Sequence, residues 1–159
     1  LTVTADSEKL SRGNSVWVPA VDKNALKYGN EWRTLVLQDR GRWEPENSQL
    51  FPKTTQIVKD SKAPSLEVFF ARQPAGTGIQ PHTDNANFVM TGHLALVVPE
   101  GNCWIKSGNE VARWEEGKCL VMDTSFIHST ANETDGDRYV LIIRFHHPEL
   151  SAMERLALQ

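Results

Sequence analysis

The segment PHTDNANF, residues 81–88, sets a histidine and a carboxylate two positions apart, His82 and Asp84, in a stretch bracketed by Pro81 and polar residues. In extended backbone, residues two apart point to the same side, so an imidazole and a carboxylate with this spacing can face one ion. A third ligand has to come from elsewhere in the chain. His128 is the strongest candidate: it follows a turn, Asp123-Thr-Ser, and lies in a short run ending at Thr130. Two histidines and one carboxylate on one face of an octahedron are the donor set of non-haem Fe(II) enzymes that activate dioxygen. Three positions then stay open, two for a keto acid and one for O2.

Charge extends the set. One carboxylate leaves Fe(II) with a net single positive charge, which the inner carboxylate of a 2-oxoglutarate co-substrate would cancel. The outer carboxylate then needs a cation of its own. Arg138 opens the run RYVLIIRF, and strand alternation puts it on one face with Val140 and Ile142. A charge on an apolar face is costly unless it is paired, and a guanidinium fork matches a carboxylate with two parallel bonds. His128 and Arg138 flank the turn signal Asp135-Gly136. A two-residue hairpin there would turn them to opposite sides, so residues 132–137 are expected to cross from one sheet to another.

Strands must position these groups, and the sequence supplies them. From residue 66 onward, short runs rich in Val, Ile, Phe, Leu and Trp alternate with turn clusters: 66–71, 78–82, 88–98, 102–106, 110–114, 118–122, 126–130 and 138–146. Eight such strands at regular spacing predict a mainly β fold, a double-stranded β-helix (jelly roll, cupin-like) with short flanking helices. Ahead of them lie an expected helix at 21–28, a strand at 31–38, a loop at 39–48 and a helix at 51–60 with Pro52 in its first turn. Ser151-Ala-Met-Glu154 is a capping-box pattern for a last helix. The expected organisation is one domain over 1–159: a lead-in with helices over 1–64, the jelly-roll core over 65–147 and a C-terminal helix over 148–159.

The totals agree with that size. With 159 residues, 40% hydrophobic and 23% charged, the chain is long enough for one core and short for two domains. A formal net charge of −3 gives no basic surface of the kind nucleic acid requires. No apolar run reaches the ~20 residues of a membrane span. No secretory signal pattern is visible, and the expected location is cytoplasmic, although the chain opens on Leu1 rather than Met. Cys103 and Cys119 form no C-x-x-C pair and are expected to be free thiols. Trp104 and Trp114 are expected to be packing residues.

The ordered set HTD, HLALVVPEGN, WEEGK, DTSFIHS, Arg138 and HPEL resembles the aspartyl/asparaginyl β-hydroxylase family of Fe(II)/2-oxoglutarate oxygenases. The likeness runs from about residue 29 to the C-terminus and is strongest over 74–150. It implies His82 and His128 as iron ligands and Arg138 as the holder of the distal carboxylate of 2-oxoglutarate. His93 matches a family histidine expected near the inner carboxylate. In well-known animal members a Gly stands at position 84; here Asp84 completes the triad and fills the site a halide would need, which argues against a halogenase. Ala71 stands at a cofactor-binding position where those members have Ser, and Thr91 where they have Arg near the substrate. Trp32, Arg72, Asn85, Asn87 and Thr91 are expected to line the substrate mouth. The implied activity is hydroxylation of an unactivated carbon, of which the β-carbon of an aspartyl or asparaginyl group, free or in a peptide, is one candidate. The alternative is a cupin-type module that binds a metal and a carboxylate for sensing, without oxygenase turnover.

Overall fold

The computed structural model describes residues 17–19, 32–84 and 86–158. The helix expected at 21–28 and the mouth residue Asn85 lie outside the described residues. Eleven strands and three helices are described: β1 (Val18–Pro19), β2 (Arg33–Asp39), β3 (Arg42–Trp43), α1 (Pro45–Leu50), α2 (Pro52–Ser61), β4 (Ser65–Gln73), β5 (Thr77–His82), β6 (Val89–Val97), β7 (Cys103–Ser107), β8 (Glu110–Arg113), β9 (Cys119–Met122), β10 (His128–Asn132), β11 (Arg138–His146) and α3 (Ala152–Ala157).

The strands β4–β11 are the eight read from the sequence, with no end moved by more than two residues. They divide as a jelly roll requires. Among the described residues one sheet runs β1-β2-β4-β11-β6-β9 with β3 on β2, and the other runs β5-β10-β7-β8. The connection between β10 and β11 crosses from the smaller sheet to the larger, as the His128–Arg138 parity demanded. Asn132, fully buried, fastens that crossing: its Nδ2 donates to the carbonyls of Gln73, Pro74 and Gly136, and its Oδ1 accepts from Thr134 Oγ1.

Strand alternation gives the larger sheet two faces. Val68 and Phe70 of β4 and Tyr139 and Leu141 of β11 join Leu35, Leu37, Phe51 and Val58 in a core beneath α2. The tilted ring pair Phe51–Phe70, with centroids 4.7 Å apart, lies within it. Ala71, Val140 and Ile142 point the other way, toward Cys103, Ile105 and Trp114, in a second core between the sheets. Arg138 and Arg144 share the parity of Val140 and Ile142, so they too face the space between the sheets.

The segment 39–48 is not a plain loop, as its composition suggested: it forms β3 and the start of α1. No side chain caps α1 at Glu44. It is held instead by tertiary contact, Asn47 Nδ2 donating to Val36 O at 2.7 Å, which local sequence does not reveal. α2 starts on Pro52, buries Thr55 and Val58 and ends at Lys62 in the left-handed region (φ 53°). α3 carries the capping box expected at Ser151 and Glu154.

Gly78 shows how closely β5 and β10 approach. A Cβ at this position would meet Thr130 O at 2.9 Å, and that oxygen is backbone and cannot swing away. Because β5 and β10 carry the two histidines, Gly78→Ala is expected to destabilise the fold by about 1–3 kcal/mol and to weaken metal binding together with it. Urea unfolding and a metal titration on the same variant check both effects.

Candidate metal centre and its cavity

His82 is the last residue of β5 and His128 the first of β10, and the two are cross-strand partners. Their ring centroids lie 4.2 Å apart. Each imidazole is oriented alike. Nδ1 of His82 donates to Gln80 O at 2.8 Å, and Nδ1 of His128 donates to Phe126 O at 3.0 Å. A carbonyl can only accept, so Nδ1 carries a proton in both rings, and in the neutral ring it is Nε2 that presents the lone pair. This is the outer bonding that metal-bound histidines use to fix tautomer and ring plane.

Asp84 reaches the same point from the loop after β5, where its backbone N–H donates to Thr124 O at 3.0 Å. Its Oδ1 lies 3.6 Å from His82 Nε2 and 3.7 Å from His128 Nε2. One donor atom from each residue falls within 4.8 Å of the others. Three potential donor atoms therefore converge on one point, an arrangement that suits a cation. Burial, the largest cause, lowers the pKa of His128 and keeps that ring in the neutral form a metal needs. A divalent transition ion fits this donor set.

These groups open on a cavity of about 710 Å³ between the sheets, which Arg138, His93 and Arg144 also line. Arg138 is 1% exposed, and its Nε and Nη1 are buried without a hydrogen-bond partner. Trp114 lies beneath it, with the guanidinium carbon 3.8 Å from the ring centroid, and the Cys103 thiol is a close neighbour. Desolvation pulls the Arg138 pKa down to about 10, which still leaves it cationic at neutral pH. A buried cation with unused N–H groups facing a cavity is suited to an anion.

His93 is buried beside it, with its ring nearly parallel to Trp114 (7°, centroids 6.1 Å) and Nδ1 without a partner. Burial first, then Arg138 and His128, hold its pKa down to about 3. It is therefore a neutral imidazole whose Nδ1 is free for a ligand in the cavity. Trp114, expected only to pack, is in fact the platform under both His93 and Arg138.

The other sequence candidates divide. Trp32 and Thr91 line the cavity. Trp32 Nε1 is buried without a partner, and the Thr91 hydroxyl sits 3.1 Å from that of Thr124. Ala71 is fully buried in the inner core and offers no hydroxyl, but its cross-strand partner Thr34 lines the cavity with one. Arg72 does not reach the mouth: adjacent residues of a strand face opposite sides, so it points away from Ala71's side and pairs with Asp137 at 2.7 Å. Asn87 lies in an exposed turn and is not among the residues that line the cavity.

Arg144 is the group the sequence undervalued. It lies near the end of β11, where a long cationic side chain can simply reach water. Instead it is mostly covered, bonds Glu67 Oε2 through Nη1 at 3.0 Å and places Nη2 3.7 Å from Asp84 Oδ2. Parity with Arg138 was the available signal. Its partner Glu67 becomes visible only through the β4–β11 register, in which the two residues are opposite.

Fold and site together define a cupin-type β-helix with a two-histidine, one-carboxylate centre. Solved structures of similar fold include a predicted oxalate decarboxylase from Thermotoga maritima (TM-score 0.55, 12% identity, covering 85% of this chain and 97% of that one). The cupin domain of Cnp3 from Schizosaccharomyces pombe is another (TM-score 0.51, 11% identity, 92% and 80%). The family profile for aspartyl/asparaginyl beta-hydroxylase matches residues 2–148, and the chain belongs to that family. It is 30% identical over 155 residues to the human aspartyl/asparaginyl beta-hydroxylase, covering 94% of this chain and 20% of the relative. It is 32% identical over 136 residues to the human aspartate beta-hydroxylase domain-containing protein 2 (80% and 37%). It is 30% identical over 131 residues to the ornithine lipid ester-linked acyl 2-hydroxylase of Rhizobium tropici (81% and 46%). The chain thus spans between a fifth and a half of the length of these relatives.

Proposed function

We propose that this chain is an Fe(II)- and 2-oxoglutarate-dependent dioxygenase that hydroxylates an unactivated carbon of a small molecule or a peptide. The observation that carries the reading is the pairing of two features in one cavity: three converging metal donors, and a fully buried arginine whose Nε and Nη1 have no hydrogen-bond partner. A cation site and an anion site that share one space suit a chelating keto acid.

In this reading His82, Asp84 and His128 hold the metal, and Arg138 takes the distal carboxylate of 2-oxoglutarate while Trp114 fixes its plane. His93, neutral at working pH, presents Nδ1 to the inner carboxylate. Thr34 supplies, across the strand, a hydroxyl of the kind Ala71 lacks. When bound, ferrous iron and 2-oxoglutarate provide the electrons that split O2, one oxygen atom going to the substrate carbon and the other to succinate, with release of carbon dioxide. The chain's own contribution is positional. Phe69, Ile79, Ile105, Met122 and Ile142 line the cavity with apolar surface and limit water at the reacting centre. Trp32 and Thr91 stand where a substrate would enter.

The substrate is an aspartyl or asparaginyl group, free or in a peptide, or an acyl chain of the kind named for the Rhizobium relative. The test is to reconstitute the protein anaerobically with Fe(II), admit O2 and labelled 2-oxoglutarate, and follow succinate by chromatography and oxygen gain by mass spectrometry across a panel of these compounds. Succinate formation coupled to a gain of one oxygen atom is expected for one class. Ala71 is the feature that favours the rival, a metal and carboxylate sensor. Tight 2-oxoglutarate binding with no succinate from any compound, and no uncoupled turnover, would establish that rival instead.

A further inference from the structure

The carboxylate of the proposed triad is the ligand least fixed by its own backbone. His82 and His128 sit on paired strands, whereas Asp84 lies in a loop with one backbone bond to Thr124. Its two oxygens are chemically equivalent. If both bound the metal they would occupy one of the three positions that a keto acid and O2 require. The structure separates them: Oδ1 faces the two Nε2 atoms, while Oδ2 faces Arg144 Nη2 at 3.7 Å. Arg144 is in turn anchored by Glu67 at 3.0 Å across the β4–β11 register.

We infer that Arg144, anchored by Glu67, is a positioning residue that holds Asp84 Oδ2 so that Asp84 offers the metal one oxygen only. The inference rests on the triad reading above. It belongs to this chain's own chemistry, because a glycine at position 84 gives such an arginine no carboxylate to hold.

Two effects of Arg144 on metal affinity oppose each other. A bare guanidinium beside the site would repel a divalent cation. Glu67, however, lies closer to Arg144 than Asp84 does and offsets most of that charge. Orientation therefore outweighs repulsion, and removing the arginine weakens binding. Outer partners of metal ligands typically contribute roughly 10–100-fold in affinity.

The test is titration of cobalt(II) into the metal-free full chain, followed by its visible absorption bands, with circular dichroism confirming the fold of each variant. Arg144→Met is expected to bind cobalt about 10–100-fold more weakly than wild type, with altered bands, and Arg144→Lys to recover part of the loss. Glu67→Gln, which spares the arginine but frees it from its anchor, is expected to weaken binding as well. In an Asp84→Ala background, Arg144→Met is expected to cause no further loss. Wild-type affinity in Arg144→Met, tighter binding, or an equal loss with and without Asp84 would overturn the inference while leaving the triad intact. Absence of cobalt binding by wild type would overturn the triad reading and this inference with it.

Discussion

His128→Ala is expected to abolish metal binding and every 2-oxoglutarate-dependent activity while leaving a folded protein. His128 is the most buried of the three donors, at 7% exposure, and its Nε2 closes the site on the side of the smaller sheet. Without it, His82 and Asp84 remain, both half-exposed, and water can displace an ion from either. The cost to the fold is modest by comparison. One bond, Nδ1 to Phe126 O, is lost, contributing on the order of 1 kcal/mol, and the remaining ladder of β10 with β5 and β7 is backbone. Thermal unfolding with and without added metal separates the two effects. An ion at about a hundred times its dissociation constant stabilises a folded protein by roughly 2.7 kcal/mol. Wild type is therefore expected to melt several degrees higher with metal, and His128→Ala to melt at one temperature in both conditions. A metal-dependent shift in His128→Ala as large as that of wild type would remove His128 from the site.

The parts of this site that could be read in the sequence are those set by short-range rules. His82 and Asp84 share a side through local spacing, and Arg138 and Ile142 share a face through alternation. The crossing at 132–137 followed from a parity conflict, because no simple hairpin puts His128 and Arg138 into one space. What stayed hidden depends on register between distant strands. Nothing near Arg144 announces that β11 pairs it with Glu67, or that the loop after β5 brings Asp84 to its other side. Arg72, expected at the substrate mouth, sits one residue after Ala71 and thus on the opposite face, bonded to Asp137. The start of β10 moved from 126 to 128 because Phe126 and Ile127 look like strand residues. They are exposed apolar side chains in the turn that brings His128 to the cavity. The short helix α1 lacks both a side-chain cap and any buried residue, so no local pattern marked it.

Arg138→Met is expected to do two opposite things, and the pair of results identifies its role. The guanidinium is buried, with no carboxylate among the groups that shift its pKa and with two of its nitrogens unpartnered. Its lowered pKa, about 10, reflects the cost of keeping that charge away from water. A methionine of similar length can lie on the same Trp114 face without a charge to solvate. The Cys103 thiol left beside it loses little, since thiols behave as small apolar groups in a core. The ligand-free variant is therefore expected to be more stable than wild type, by about 1–4 kcal/mol, as found when buried charges give way to well-packed apolar side chains. Affinity for 2-oxoglutarate in the metal-loaded protein is expected to fall. Truncating one partner of a buried, hydrogen-bonded charge pair costs about 2–5 kcal/mol, which is roughly thirty-fold to several thousand-fold. Urea unfolding of the ligand-free protein measures the gain, and calorimetric titration of 2-oxoglutarate measures the loss. A residue that merely supports the fold would give the reverse, with lower stability and unchanged affinity. Only a cation held in place for an absent anion combines higher stability without the ligand with weaker binding of it.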